Sequence, residues 1–254
     1  YVKQNICDPL KLSKTGVCVN GQEPPHLVKG YRTNPTGSYD TEWINYQQPF
    51  SSGNMYSTLG DLKRFTEAVF KAELFSAVIL DKLKNDNSGK YGFGWGIRNV
   101  DSNRFYGHVG AMNGFVGGIN YLPEEDLFIG YLTNDDNTSR YSISSSLTQL
   151  ALGNDVPPVN KRTYKALSSD SLLDYAGNYL IKPGDTLKVF TKEKQLILQE
   201  TGQAPQQLFC FGKHQFDFEQ LEFDVRFNIN NGVVADSLFF ERKGNSFLRA
   251  ARIN

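Results

Sequence analysis

Between residues 91 and 133 the chain takes on the period of β-strands, and this constrains the fold more than any other feature. Tyr91-Gly92-Phe93-Gly94-Trp95-Gly96-Ile97 alternates aromatic residues with glycine. Read as one strand, it has a bulky face and a bare one, as where something approaches the backbone closely. Arg104–His108, Phe115–Leu122 and Leu127–Thr133 read as further strands, the last two joined by the turn Pro123-Glu124-Glu125-Asp126. Together they predict an antiparallel meander. Helical spacing flanks it. Leu59, Leu62, Phe65, Val69 and Phe70 predict an amphipathic helix over 58–71, opened by the capping-box-like Ser57-Thr58 and Asp61. A second helix is expected around Ser76–Leu83, and a third over Ser139–Leu152 with Ile143, Leu147, Leu150 and Ala151 on one face.

The first fifty residues are irregular, punctuated by Asp8-Pro9, Asn20-Gly21, Pro24-Pro25, Asn34-Pro35 and Thr36-Gly37. Residues 153–170, with Pro157-Pro158 and Ser168-Ser169, read as a linker. Beyond them Leu187–Thr191, Gln195–Gln199, Gln207–Phe211, Leu221–Asn228, Ser237–Glu241 and Phe247–Arg252 are short strand candidates separated by glycine-containing turns such as Asn231-Gly232 and Gly244-Asn245. Such regular spacing predicts a small barrel or curled sheet. The expected class is α+β, an antiparallel sheet with packed helices over 1–155, a linker over 156–169, and a small all-β barrel-like domain over 170–254.

Lysine plus arginine and aspartate plus glutamate both number 27, so the net charge is zero. Nucleic acid and anionic membrane surfaces, which are bound through excess basic charge, are not expected partners. No apolar run is long enough to span a membrane as a helix, and no signal peptide is visible. The start at Tyr1 lacks a methionine and reads as mid-helix, as in a processed or excised piece. Cys7, Cys18 and Cys210 lack the spacing of a zinc site. Cys7 and Cys18 suit either a short-loop disulfide or two small buried hydrophobes, and Cys210, between Phe209 and Phe211, suits the core. His26 and His214 have no partners at ligand spacing, and Glu124-Glu125-Asp126 reads as a solvated turn rather than a calcium site.

There is no GxSxG elbow, HExxH helix, Walker loop or strand-to-helix GxGxxG. Four landmarks in order do carry a resemblance: Ile6-Cys7-Asp8-Pro9-Leu10 with Thr15-Gly16; Ser52-Gly53-Asn54-Met55-Tyr56-Ser57-Thr58 with Asp61, Leu62 and Phe65; Tyr91-Gly92-Phe93-Gly94-Trp95; and His108-Val109-Gly110. In these the sequence resembles the serine β-lactamase-like superfamily, in the branch of class C β-lactamases, penicillin-binding D-Ala-D-Ala peptidases and related esterases. His108-Val109-Gly110 stands where that family has K-T-G or H-x-G. Leu173, Tyr175, Gly177 and Tyr179 resemble the opening of the lipocalin-like β domain that often follows such hydrolases.

The resemblance implies one wall of an active site. His108 would face the substrate carboxylate or the nucleophile, Gly110 would let substrate lie against bare backbone, and Ala111 would offer its N–H to the oxyanion. Such a donor is typically worth about 3 kcal/mol of transition-state stabilisation. The alternative is that His108 is an ordinary strand histidine. The family's nucleophile and base, Ser-x-x-Lys with a Tyr-x-Asn or Ser-x-Asn element, are not found in place. No Ser-x-x-Lys or Tyr-x-Asn occurs, and the literal Lys14-Thr15-Gly16 and Ser52-Gly53-Asn54 fall at the wrong landmarks. In the family the missing elements lie upstream of the first landmark, so this chain alone is expected to be inactive and to need an amino-terminal segment of the same protein.

The leading reading is part of a serine hydrolase forming an acyl-enzyme with an amide or ester substrate, a β-lactam, D-amino-acid peptide or ester. No metal or organic cofactor is implied. Family habit and the disulfide alternative point to a periplasmic or extracellular location. The rival reading is a non-catalytic binding or scaffolding protein that keeps the hydrolase shell.

Overall fold

The computed structural model describes residues 1–22, 24, 26–41, 45, 49–85, 90–158, 162–218, 223–229, 234–242 and 245–253. The turn expected after Asn85, Pro25, residues 221–222, Asn231-Gly232 and Gly244 fall outside them. The chain divides into two units: Tyr1–Thr33 with Ser38–Pro157, and Asn34–Gly37 with Pro158–Asn254. No helix among the described residues is long and apolar enough to cross a membrane.

In the first unit a π-helical turn over Lys3–Cys7 leads into α1 (Asp8–Leu10), then β1 (Gly16–Val17), β2 (Tyr31–Asn34) and β3 (Gly37–Asp40), of which Asn34 and Gly37 count with the second unit, then β4 (Met55–Tyr56), α2 (Leu59–Phe70) and α3 (Ala77–Lys84). The meander follows as β5 (Tyr91–Gly92), β6 (Trp95–Val100), β7 (Asn103–Met112), β8 (Phe115–Leu122) and β9 (Leu127–Thr133), closed by α4 (Arg140–Ala151). These last five strands form one antiparallel sheet in chain order. Thr58 caps α2 by accepting from the Asp61 N–H, and Ser76 caps α3 by accepting from the Ile79 N–H, which satisfies donors that have no partner within the helix.

One strand expectation needs correction. Tyr91–Ile97 is a hairpin, not a single strand: Phe93 and Gly94 both have positive φ, 47° and 89°, the backbone of the tight turn whose twist matches its flanking strands. β7 also runs on through Met112, past the expected end at His108.

The sheet buries both faces. On one, Phe70 of α2 packs between Trp95, Tyr106 and Tyr121 with ring centroids 5.1, 5.0 and 5.2 Å away, and Val69 and Leu83 complete the cluster. On the other, Phe105, Leu122 and Ile129 meet Leu147 and Leu152 at α4. Polar groups tie α4 down as well. Asn120 donates to Ser144 Oγ at 2.8 Å and Thr148 Oγ1 at 3.1 Å, while its Oδ1 accepts from Arg98 Nη2 at 2.8 Å. Asn120, Ser144 and Thr148 are all buried, so each bond prevents an unpaired buried polar group.

The second unit carries α5 (Ser169–Leu173) and a closed barrel of eight antiparallel strands in chain order: β10 (Gly177–Lys182), β11 (Asp185–Lys192), β12 (Gln195–Glu200), β13 (Gln206–Gly212), β14 (Gln215–Phe218), β15 (Asp224–Asn228), β16 (Ser237–Arg242) and β17 (Asn245–Ile253). β10 and β17 close it, with Tyr179 opposite Arg252. Closure leaves no free strand edge. Sequence spacing missed β10 and β14. β10 shows in the sequence only through Gly177 and Tyr179 of the motif, and β14 is four residues long.

Alternate residues point inward, among them Leu187, Val189, Leu196, Leu198, Val225, Phe227 and Leu238, and α5 adds Leu172. Tyr179 is fully buried, and burial pushes its phenol up to about 12. Outside, Arg162 forks onto Asp224 at 2.7 and 2.8 Å, and Tyr164 donates to Asp217 at 2.6 Å. Arg162 also donates to Asp217 at 3.0 Å, and burial raises the Asp217 carboxyl even against Tyr164 and Arg162. Cys210 is buried in this core; Cys7 and Cys18 are buried thiols with no disulfide between them.

Truncating Phe70 to alanine should cost about 3–5 kcal/mol of first-unit stability, read by urea unfolding through Trp95 fluorescence with Trp43→Phe as background. A second prediction concerns Asp126, which accepts from Tyr121 at 2.5 Å and Lys71 at 2.9 Å. The Tyr121 hydroxyl and then the Lys71 ammonium hold its carboxyl below the ordinary value. A depressed acid contributes stability above its unfolded pKa of about 4 and loses it as pH falls through the folded one. The stability gap between the parent chain and Asp126→Asn should therefore shrink from pH 7 to pH 3. An equal gap at both would contradict the assignment.

Candidate active site

The outer half of β7 differs from the inner half in both cover and pairing. Phe105, Tyr106 and Gly107 are buried, whereas His108, Gly110 and Ala111 are exposed. β6 pairs with β7 only as far as Gly107, while β8 pairs along its whole remaining length to Met112. Met112 and Phe115 enclose the two-residue turn Asn113-Gly114, and so short a loop requires that they exchange both ladder hydrogen bonds. Antiparallel alternation then turns the N–H and C=O of Ala111 and Val109 away from β8. Among the described residues no strand lies on that side.

Glycine has different causes along this strand. At Gly107 a Cβ would strike the Ile119 carbonyl and Asn120 Oδ1, so the bare position is what lets Arg98 and Asn120 meet. At Gly110 a Cβ would meet nothing within 4 Å, and its φ is not in the left-handed region. Glycine in a strand interior costs conformational entropy and packs nothing. The chain's own packing therefore gives no reason for glycine at 110.

His108 lies opposite Ile119 in the ladder, and so on the sheet face that carries the Phe70 cluster. The ring of Tyr91 stands edge-on to the imidazole with centroids 5.9 Å apart. Tyr91 is half exposed at 49%. The Tyr-Gly-x-Gly-Trp landmark assigns it no role, because sequence spacing does not show that the hairpin sets Tyr91 of β5 across Gly96 of β6 from the β7 edge.

The far end of β7 is held by groups that the sequence did not single out. The Asp136 carboxylate, 6% exposed, accepts from Arg32 Nη2 at 2.9 Å and from the Gly114 N–H at 3.1 Å. The segment after β9 also brackets β2: Tyr31 N–H donates to Asn134 O at 2.9 Å and Asp136 N–H to Tyr31 O at 3.0 Å. The Gly114 N–H thus ties the β7–β8 turn to a carboxylate that Arg32 also holds. Gly53 of the Ser52-Gly53-Asn54 loop lies against Met112, where a Cβ would come 2.8 Å from Sδ. Ser52 Oγ is engaged, donating to Pro49 O at 2.6 Å.

Lys14-Thr15-Gly16 does structural duty elsewhere. Thr15 Oγ1 donates to Asp61 Oδ2 at 2.8 Å, the Lys14 N–H donates to the same oxygen at 2.9 Å, and Gly16 pairs with Tyr56. His26 is exposed. His214 Nδ1 lies 3.0 Å from the Tyr175 hydroxyl at the barrel. His108, Gly110 and Ala111 thus share one exposed strand edge, and neither of the other histidines joins them.

Chemically, this edge offers an imidazole, a bare α-carbon and an outward main-chain N–H in sequence. Comparisons with known proteins bear on what it belongs to. Penicillin-binding protein 4* of Bacillus subtilis (strain 168) is 26% identical over 267 residues, covering 95% of this chain and 59% of its own length. Two solved structures share the fold. The octameric penicillin-binding protein homologue from Pyrococcus abyssi has a TM-score of 0.52 at 18% identity, covering 99% of this chain and 59% of that one. The D-amino acid amidase from Ochrobactrum anthropi SV3, complexed with L-phenylalanine, has a TM-score of 0.52 at 19% identity over 60% of this chain and 51% of its own. The chain spans less than two thirds of the length of each of these relatives. Residues 1–151, more than half of the chain, match the Beta-lactamase family, and the chain therefore belongs to the serine β-lactamase-like family.

Proposed function

We propose that His108–Ala111 is the substrate-facing wall of a serine hydrolase active site whose nucleophile and base come from a part of the whole protein outside these 254 residues. The observation that carries this reading is the pair of backbone features on β7: an outward Ala111 N–H with no strand beside it among the described residues, and a glycine at 110 whose Cβ would meet none of their atoms within 4 Å. A serine Oγ attacking an amide or ester carbonyl leaves negative charge on the carbonyl oxygen. The Ala111 N–H, fixed by the β7–β8 ladder, donates to that oxygen without reorganising. The C–O bond to serine forms, the C–N or C–O bond to the leaving group breaks, and the leaving amine or alcohol departs with a proton. His108 supplies a hydrogen bond, or a charge when protonated, to a substrate carboxylate or to the nucleophile. Gly110 lets the substrate backbone approach to contact distance.

The names of the relatives, a penicillin-binding protein and a D-amino acid amidase, support a substrate among β-lactams, D-amino-acid peptides and esters. A location in the periplasm or outside the cell rests on family habit, since Cys7 and Cys18 are not bridged. The barrel is read as lipocalin-like on its eight up-and-down strands. A second reading, a non-catalytic protein that keeps the hydrolase shell, is favoured by the lack of Ser-x-x-Lys and Tyr-x-Asn in the sequence.

The test uses the whole protein with its upstream region and a fluorescent penicillin or phosphonate probe. The whole protein should label through a serine and the 254-residue chain alone should not; no serine-dependent labelling would favour the scaffold. In the labelling protein, Ala111→Pro should slow acylation about 100-fold by removing the donor. Gly110→Ala should slow acylation while leaving thermal stability within about 0.5 kcal/mol or slightly raised. If acylation is unaffected by both substitutions, the oxyanion assignment fails.

A further inference from the structure

The two ends of the barrel are not alike. At one end α5 and the segment after it fill the opening: Leu172 joins the core, and Tyr175 packs on Phe216 and Phe227 at 4.9 and 5.0 Å between centroids. At the other end, where β10 turns into β11 and β12 into β13, a cleft of about 370 Å³ remains. This lies at the small end of the range for ligand sites, about 300–1,000 Å³.

The lining has a definite chemistry. Leu187, Leu198 and Phe240 are buried and form its floor, and Phe223 and Phe247 form a wall. Phe223 sits edge-on to both Phe240 and Phe247, with centroids 5.2 and 5.5 Å apart. Phe247 nonetheless leaves 56% of its surface in contact with solvent, area that an apolar occupant would cover at a gain of about 25 cal/mol per Å². At the rim stands Glu200, exposed, with no ion pair or side-chain hydrogen bond among the described residues. A carboxylate lining the same cleft as aromatic rings attracts ammonium by direct charge, and the negative ring faces add to that attraction. It repels carboxylate ligands.

We propose that this end of the barrel binds a small apolar amine, its hydrocarbon or aryl body against Phe223, Phe240 and Phe247 and its ammonium at Glu200. The site is built from residues of the second unit alone, and binding there requires no acylation chemistry.

The 254-residue chain is titrated with the apolar fluorophore N-phenylnaphthylamine, and the dye is then displaced by octylamine, octanol or octanoate at pH 7. Dye fluorescence should rise on binding, and octylamine should displace it at the lowest concentration and octanoate at the highest. Glu200→Gln should raise the octylamine half-displacement concentration about threefold and leave octanol unchanged. Phe247→Ala should weaken the dye and all three competitors about fivefold. Both positions are exposed, so both variants should keep the circular dichroism spectrum of the parent. Absence of dye binding, displacement by octanoate at or below the octylamine concentration, or indifference to either substitution would overturn the proposal.

Discussion

A mismatch in length between neighbouring strands governs the rest of the first unit. β7 extends to Met112, but β6 accompanies it only to Gly107. Because backbone hydrogen bonds in an antiparallel ladder alternate sides, the overhang turns every second peptide toward a side where no strand of the described residues lies. An unpaired strand edge is ordinarily a hazard, since it can pair with another chain. Here it is short, and it presents the N–H of Ala111 in a position fixed by the β8 ladder on its other side.

An overhanging strand tends to fray, and the surrounding structure opposes this at both ends. Inward, the Arg98, Asn120, Ser144 and Thr148 bonds fix β8 to α4 across the gap left by Gly107. Outward, Asp136 binds the turn at Gly114 and the Arg32 side chain together. Both anchors are polar and largely buried, and are therefore directional: a displaced strand would leave desolvated groups unpaired, at a cost of about 1–3 kcal/mol each. The Phe70 cluster provides bulk stability, while the two polar anchors set position.

The sequence was most informative where one physical signal dominated. β8 and β9 span the residues expected of them, and α2 and α3 lie within one residue of their expected ends, α2 with the expected Thr58 cap. The errors arose where two signals coincided. The glycines of Tyr91–Ile97 look like a bare strand face, yet Gly94 is there for a positive φ with Phe93. In the same stretch of sequence, Gly107 is demanded by packing and Gly110 is not, a difference that only the Ile119 and Asn120 positions reveal. Asp136 could not be singled out because its partners, Arg32 and Gly114, are 104 and 22 residues away. In the barrel, the four residues of β14 were too few to show a period.

The oxyanion role of β7 depends on where the Ala111 N–H points. Amide hydrogen exchange of the whole protein, compared before and after acylation by a phosphonate, reads this directly. The Ala111 amide, turned away from β8, should exchange fast in the free protein and slow at least tenfold in the adduct, with the ladder amides of Gly110 and His108 slow in both. An Ala111 amide already protected in the free protein, or unchanged on adduct formation, would contradict the assignment of β7 as the oxyanion-binding edge.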